Sequence, residues 1–253
     1  MGYIKNFVII LAFASYALSA QHINIVTENL PPFQIEQKNK ELTGLATEIV
    51  REVFSRAKIS HSFTVSDWSI AYIQAVEEAD VCIYSIIRQP NRESLFQWVG
   101  QITSASTSFY SLREKNIVLN NFDDARQYKV AVNDNYASHH YLLEKGFEQN
   151  KNLYVLNNYG ALLKILEARK DSIDLVLFND EILVNILNSP SKMKKYDKHS
   201  VINDFRFDFS LACSLNTSPT IVQRLSTALQ SMKEDNSLKK LKHKWQSRLV
   251  SGQ

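Results

Sequence analysis

Residues 80–87 read DVCIYSII, a dense run of β-branched and aromatic side chains that begins at an acidic residue. An apolar run of this length is typical of a central strand in a parallel sheet, buried by helices on both faces. A second run of this kind, DLVLF, occupies residues 174–178. The two runs lie about 90 residues apart, which predicts two similar α/β units in succession.

The residues before the first run alternate between strand and helix patterns. Residues 22–28, HINIVTE, alternate apolar with polar side chains and predict a strand. Apolar side chains recur at helical spacing over residues 45–54, a short strand pattern follows at 62–65, and residues 68–78 predict a second helix. The order strand–helix–strand–helix–strand is typical of a parallel sheet with flanking helices.

The same alternation returns in the second half of the chain. Strands are predicted at 108–112, 129–132, 153–156 and 174–178, and helices at 138–144, 159–168 and 180–187. A further strand at 207–215 and a helical region at 219–249 contain too few strands for a third domain. We therefore expect this last part to return to the first unit, and we interpret residues 187–200 as a loop.

This pattern predicts an α/β protein with two lobes, each a mostly parallel sheet flanked by helices. Lobe 1 is assigned to residues 21–104 and 207–253, and lobe 2 to residues 105–206. The chain then crosses between the lobes twice, near residues 103–107 and 204–208. Two hinge crossings allow one lobe to rotate against the other.

Residues 1–20, MGYIKNFVIILAFASYALSA, predict a secretory signal peptide. Lys5 precedes an apolar run of roughly a dozen residues, and small residues close it. A membrane anchor is the alternative, but a span needs about 20 apolar residues. Cleavage after Ser19 and cleavage after Ala20 both remain open, with a weak preference for Ala20. We expect the mature chain to work outside the cytoplasm, and the sequence offers no lipid-anchor cysteine after the signal.

Composition excludes several classes of function. The chain has 29 basic and 26 acidic residues, a net charge of +3, which gives no electrostatic reason to expect nucleic acid binding. Cys82 and Cys213 are too few for a disulfide scaffold and lack metal-type spacing. We therefore expect no metal and no cofactor. In an oxidising compartment the two cysteines can pair, and two buried free thiols are the alternative.

Four segments resemble the family 3 extracellular solute-binding proteins, the two-lobed receptors that serve polar amino acid ABC importers. The segments are TENLPPFQIE with the helix that follows it (27–57), SIIRQPNRESLFQWVGQI (85–102), DSIDLVLFND (171–180) and LSTALQSMKEDNSLKKLKHKW (225–245). They occur in the family's order and cover nearly all of the mature chain. The resemblance implies a type II periplasmic-binding-protein-like fold, with the strands that carry Cys82 and Cys213 side by side.

The resemblance also implies which polar groups would hold a ligand. Arg92 aligns with the family's carboxylate-binding arginine, and Arg88 is a second possibility. Ser85 would present donors at the end of its strand. Ile87 stands where amino-acid-binding members often carry Ser or Thr, which removes one carboxylate donor. Asp180 aligns with the acid that pairs with a ligand ammonium in lobe 2, and a helix N-cap is its alternative role.

Further residues of the implied site lie at a helix start and along the cleft walls. Tyr136 and Ser138 fall where the family places a helix N-terminus that faces an anion. Asp134, just before them, would oppose an anion if it pointed inward. Phe33 and Trp68 are the expected aromatic walls. Glu28 is interpreted as a solvated or capping residue.

The resemblance implies a monomeric, non-enzymatic binding protein that works free in the periplasm, with a small-molecule ligand and an ABC permease as partner. A receptor coupled to a membrane sensor is the first alternative. A periplasmic dehydratase-like enzyme on the same fold is the second, with Asp180 or Glu181 as its base. No nucleophile–base pair is visible in the sequence to support catalysis.

Overall fold

A computed structural model describes residues 21–134, 136–156, 161–202 and 204–251. The predicted signal peptide lies outside these ranges, as do the first two residues of the helix predicted at 159–168. Among the described residues, none of the helices combines the length and the apolar character that crossing a bilayer requires.

Strands and helices alternate along most of the described chain. In chain order the strands are β1 (His22–Thr27), β2 (Ile35–Glu36), β3 (Leu42–Thr43), β4 (Ser60–Val65), β5 (Val81–Ile87), β6 (Phe96–Ala105), β7 (Thr107–Leu112), β8 (Val130–Asn133), β9 (Leu153–Leu156), β10 (Leu175–Asn179), β11 (Tyr196–His199) and β12 (Phe207–Ser214). The α-helices are α1 (Leu45–Ala57), α2 (Trp68–Glu77), α3 (Ala137–Glu144), α4 (Leu162–Ala168), α5 (Asp180–Leu187), α6 (Pro190–Met193), α7 (Pro219–Glu234) and α8 (Ser237–Ser251). Short 3₁₀ turns lie at Pro90–Leu95, Arg113–Lys115 and Asp123–Gln127.

Two five-stranded sheets share one plan within the described residues. The lobe 1 sheet has the order β4–β1–β5–β12–β6, and the lobe 2 sheet has the order β9–β8–β10–β7–β11. In each sheet the first two neighbouring pairs are parallel and the last two are antiparallel. Within the described residues, four strands of each sheet therefore run in one direction, as predicted, and the fifth runs against them. The opposing strand is the one that enters from the other lobe, β12 in lobe 1 and β7 in lobe 2.

The chain passes between the two sheets at two places. β6 ends at Ala105 in the lobe 1 sheet and β7 begins at Thr107 in the lobe 2 sheet, so Ser106 is the first crossing. The second crossing follows β11 of lobe 2 and ends where β12 begins at Phe207. These short connections are the positions where backbone rotation would change the angle between lobes.

The run at residues 80–87 forms the central strand β5, which is buried along its whole length. Cys82 and Tyr84 face the core beneath α1 and α7, whereas Val81 and Ile83 face the core beneath α2. Because both faces of the strand are buried, its side chains are apolar on both faces and do not alternate with polar ones. Each large apolar side chain buried here contributes about 1.5–3 kcal/mol to the free energy of unfolding.

Strand β5 contains a bulge at Ser85. Ile86 pairs with Ser210 of β12 and Tyr84 pairs with Leu211, which leaves Ser85 as an extra residue. Its φ of 59° lies in the left-handed region, which costs a residue with a Cβ about 1–2 kcal/mol. The bulge reverses the alternation, because Ile86 packs on the same face as Ile83. Bulges commonly redirect a side chain next to a functional site.

Two strands of the five-stranded sheets differ from the sequence prediction. β6 (Phe96–Ala105) was not predicted, since polar side chains and Gly100 interrupt its apolar pattern. β11 (Tyr196–His199) lies in the stretch interpreted as a loop, and it pairs with β7 alone at the edge of its sheet. An edge strand needs little apolar sequence, so its pattern is weak.

The structure joins Cys82 of β5 to Cys213 of β12 by a disulfide. The two residues are register partners on neighbouring antiparallel strands, and both are fully buried. The sequence left a disulfide and two buried free thiols as alternatives, and the structure has the disulfide. It ties the strand that returns from lobe 2 to the central strand of lobe 1.

We predict that the double variant Cys82→Ala/Cys213→Ala loses about 2–5 kcal/mol in the free energy of unfolding, because the bridge closes a long loop in the unfolded chain. Denaturant unfolding of the oxidised wild type and the variant measures the loss. Alkylation of the unfolded, non-reduced wild type, followed by mass measurement, is expected to find no free thiol. Two alkylated cysteines would contradict the bridge.

Candidate functional site

A cavity lies between the lobes. Lobe 2 contributes Tyr136, Ala137, Asn179 and Ile182 to its lining, and the remaining lining residues come from lobe 1. The site lies beyond the carboxyl ends of strands β1 and β10 and at the starts of helices α2, α3 and α5. Ligands of open α/β sheets bind in this kind of position.

Arg92 supplies the cavity with a buried positive charge. The residue is 6% exposed and is held in the 3₁₀ turn that follows β5. Its Nη1 donates to the Ile87 carbonyl oxygen at 3.3 Å, and its guanidinium lies over the rings of Trp68 (5.8 Å) and Tyr72 (5.3 Å). Burial lowers the pKa of Arg92, and Tyr72 opposes that shift. Aromatic faces stabilise a desolvated guanidinium, which keeps its charge.

Ser85, on the bulge, also lines the cavity. Its hydroxyl donates to Oε1 of Gln34 at 2.9 Å. Gln34 is fully buried, and its Nε2 has no hydrogen-bond partner within the described part of the chain. The Ser85 hydroxyl proton is thus engaged below the cavity, so the side chain offers an acceptor to the cavity rather than the donor expected from sequence.

Glu28 and Tyr136 connect the lobes directly. Glu28 follows β1, Tyr136 is the N-cap of α3, and the Tyr136 hydroxyl donates to Oε2 of Glu28 at 2.6 Å. Burial raises the pKa of Glu28 to about 7, the Tyr136 hydroxyl lowers it, and the nearby Asp67 raises it further. Glu28 was predicted to be a solvated or capping residue, whereas in the structure it is half-buried and lines the cavity.

Aromatic side chains form the walls of the cavity. Trp68, the first residue of α2, stands across the cleft from Tyr136 with ring centroids 6.5 Å apart. Phe207 and Phe209, from the strand that returns to lobe 1, also line the cavity. Neither is among the wall residues predicted from sequence. Phe33 is not a lining residue: it is 2% exposed and packs edge-to-face behind Phe209 at 4.8 Å. The predicted wall residue is therefore a core residue.

Asp180 lies outside the cavity lining, and its carboxylate is engaged within lobe 2. It accepts hydrogen bonds from Tyr110 Oη (2.8 Å) and Ser108 Oγ (3.4 Å), and it forms an ion pair with Lys198 Nζ at 2.6 Å. The position of Asp180 therefore gives no support to its predicted role as the acceptor for an ammonium. Its partners satisfy the carboxylate without a ligand.

Asn179, one residue earlier, occupies the cavity lining instead. It is the last residue of β10 and the N-cap of α5, where its Oδ1 accepts a hydrogen bond from the Ile182 amide at 3.1 Å. The N-cap role considered for Asp180 thus belongs to Asn179. The sequence signal that could have identified it is the change from an apolar strand to a polar Asn-Asp pair, which marks a strand end.

The remaining predicted residues lie near the cavity without lining it. Arg88 is exposed, pairs with Glu93 on the outer surface and lies over the Trp98 ring at 5.3 Å. Ser138 is buried in the first turn of α3, behind the lining residues that start that helix. Asp134 faces the outer mouth of the cleft, where its Oδ1 lies 3.3 Å from His139 Nδ1.

Neither acid of the enzymatic alternative lines the cavity. The Glu181 carboxylate accepts a hydrogen bond from the backbone amide of Ser106 at 3.1 Å, which holds it at the first crossing between lobes. Within the described residues, no group of three or more His, Cys, Asp or Glu side chains is placed to hold a metal ion.

Two chain crossings connect the lobes, and the cavity between them has a buried arginine and aromatic walls. This arrangement is that of a two-lobed solute-binding protein. The family model for bacterial extracellular solute-binding proteins, family 3, matches residues 23–248. The chain belongs to this family. This confirms both the family resemblance and the two-lobed fold class predicted from sequence.

Solved structures of similar proteins agree in fold. A histidine kinase sensor domain with similarity to periplasmic binding proteins matches with a TM-score of 0.77 and 17% identity, over 89% of this chain and 96% of that chain. A histidine-bound ABC uptake transporter substrate-binding protein from Streptococcus pneumoniae matches with a TM-score of 0.73 and 14% identity, over 89% and 92%. An ancestral amino acid-binding protein, a precursor of cyclohexadienyl dehydratase, matches with a TM-score of 0.72 and 15% identity, over 89% and 95%. Comparison with curated proteins gives no match.

We predict that Glu28 makes the free energy of unfolding fall as the pH rises from about 4.5 to about 7. The raised pKa means that the folded protein holds this proton where the unfolded chain has released it, so the stabilisation is complete below pH 4.5 and is lost through pH 7. Glu28→Gln should reduce the fall by about 1–3 kcal/mol, measured by urea unfolding at several pH values. Glu41→Gln, at an exposed acid of lobe 1, is the control. Identical profiles for Glu28→Gln and wild type would contradict the prediction.

Proposed function

We propose that the protein captures a small carboxylate-bearing solute, an amino acid or a related acid, in the cleft between its lobes. The observation that carries this proposal is the buried guanidinium of Arg92 in the cavity lining. A buried charge is costly unless an opposite charge approaches it. The planar guanidinium fork suits a carboxylate, which it can hold through two parallel hydrogen bonds.

Closure of the lobes around the ligand follows from the origin of the lining residues. Tyr136 and Asn179 belong to lobe 2, whereas Arg92 and Trp68 belong to lobe 1. A ligand that contacts both sets binds the closed form more tightly than the open form, and this difference shifts the population towards closure. The direct contact between Glu28 and Tyr136 adds to the closed form. Binding and release need no covalent step.

We propose that the receptor works in the periplasm as a monomer and delivers its ligand to an ABC permease. The family membership and the likeness to a substrate-binding protein of an ABC uptake transporter support this assignment. A receptor coupled to a membrane sensor is the second candidate, because a histidine kinase sensor domain has the same fold. Neighbouring genes distinguish the two: a permease and an ATPase favour import, and a kinase favours sensing.

The enzymatic alternative has its own test. The fold is shared with a precursor of cyclohexadienyl dehydratase, so incubation with prephenate- and arogenate-like acids is the relevant assay. Because the cavity lining contains no nucleophile–base pair among the described residues, we expect the acids to be recovered unchanged by liquid chromatography. Product formation that exceeds the rate in buffer would favour the enzyme.

We predict that Arg92→Gln weakens the binding of a carboxylate ligand by about 100-fold or more, since it removes one partner of a buried charge pair. A thermal-shift panel of amino acids, small carboxylates and polyamines first identifies ligands, because a ligand stabilises the state that binds it. Titration calorimetry then compares the variants. Arg88→Gln is the matched control, since Arg88 lies on the same segment but pairs with Glu93 outside the cavity. Full affinity in Arg92→Gln would reject Arg92 as the anchor.

A further inference from the structure

Of the two polar atoms in the Asn179 side chain, one has a hydrogen-bond partner among the described residues. Its Oδ1 accepts the Ile182 amide as the N-cap of α5, whereas its Nδ2 is buried and has no hydrogen-bond partner among the described residues. The residue is 0% exposed and lines the cavity. A buried polar group without a partner costs about 1–3 kcal/mol, so a native structure that keeps one requires an explanation.

The capping bond fixes what Asn179 can offer to a ligand. Because Oδ1 is held by the backbone of its own helix, the atom left over is the Nδ2 donor. A donor is satisfied by a carbonyl, hydroxyl or carboxylate oxygen, and an ammonium group cannot serve because it also only donates.

The electrostatics of the cavity also favour an electron-rich ligand group near Asn179. Helices α3 and α5 both begin at the cavity, at the N-caps Tyr136 and Asn179. Helix N-termini carry partial positive charge and stabilise negative groups. Arg92, in the facing lobe, adds a full positive charge.

The lining of the inner cavity offers little to an ammonium, whereas the outer mouth of the cleft is also lined by Asp67 and Asp134. Glu28 is the only carboxylate among the described residues that line the inner cavity, and it already accepts the Tyr136 hydroxyl. Its raised pKa means that ionisation near neutral pH is incomplete. Asp180, which the sequence places next to the cavity, is bonded to Lys198 and Tyr110 instead.

We propose that Asn179 selects ligands that carry an oxygen where an amino acid carries its ammonium, so that the solute is a small hydroxy or oxo acid. Its carboxylate binds Arg92, and its second oxygen accepts the hydrogen bond from Asn179 Nδ2. This inference rests on the function proposed above, and it identifies the class of acid within that function.

The informative variant is Asn179→Asp. Aspartate is as good an N-cap as asparagine, so the cap to the Ile182 amide and the start of α5 are retained. The substitution replaces the Nδ2 donor with a carboxylate oxygen, which repels a ligand oxygen and attracts an ammonium. Asn188→Asp, at the exposed C-cap of the same helix, adds the same charge away from the cavity and is the matched control. Circular dichroism and melting of the unliganded variants check that both fold.

The probes are sets of acids with one carbon skeleton, each set containing the 2-amino, 2-hydroxy and 2-oxo acid. Alanine, lactate and pyruvate form one set, and glutamate, 2-hydroxyglutarate and 2-oxoglutarate form another. Titration calorimetry is expected to show that wild type binds the hydroxy or oxo member of a set at least about tenfold more tightly than the amino member, the effect of one buried hydrogen bond. Asn179→Asp should reverse this order, and Asn188→Asp should keep it.

Two results would overturn the inference in distinguishable ways. If wild type prefers the amino member of every set that binds, or if Asn179→Asp leaves the preference unchanged, the role of Asn179 is rejected while a carboxylate receptor that depends on Arg92 stands. If no member of any set binds wild type, and no carboxylate in the wider panel does, the proposed function fails together with the inference.

Discussion

The extra residue at Ser85 is the constraint on which the site depends. By interrupting the pairing of β5 with β12, it reverses the alternation of the central strand, so that Ile87 follows Tyr84 into the main core and reaches the cavity. The backbone beyond the bulge then presents the Ile87 carbonyl to Arg92. A regular strand would send Ser85 and Ile87 to the α2 face, with Ile83. The strain of one left-handed residue thus sets the position of the proposed anchor.

Both helices that reach the cavity from lobe 2 are also bonded to the crossings between lobes. Helix α5 begins at Asn179, and the Glu181 carboxylate accepts the Ser106 amide at the first crossing. Helix α3 begins at Tyr136, and Tyr141, one turn further along, donates to Asp204 in the second crossing at 2.7 Å. A ligand bound at the helix starts, as proposed, would therefore act on the segments that set the angle between lobes. Rigid elements of this kind can carry a local contact into a domain movement.

The sequence predicted those features that depend on composition and missed those that depend on register. Strands β5 and β10 were predicted because burial on both faces leaves a continuous apolar run. Arg92 was predicted as the anchor because its segment matched a family pattern, and it lies in the cavity lining. A pattern does not fix the residue at which a strand ends and a helix begins. Because of that one-residue uncertainty, the sequence pointed to Asp180, whereas Asn179 lines the cavity. Phe33 and Phe209 were likewise indistinguishable, since sequence shows that both are apolar and not which ring stands in front.

Membership of a family indicates the fold around the cleft more reliably than it indicates the chemistry of the ligand site. The fold is a property of the whole chain, and it is shared with solved structures at identities near 15%. In the proposed site, Asn179 is the side chain that meets the ligand from lobe 2, and a carboxylate in place of its amide would attract the opposite kind of group. Function therefore has to be argued from the atoms of the site. In the site proposed for this protein, the decisive atom is the Asn179 amide nitrogen, which has no hydrogen-bond partner in the part of the chain that the structure describes.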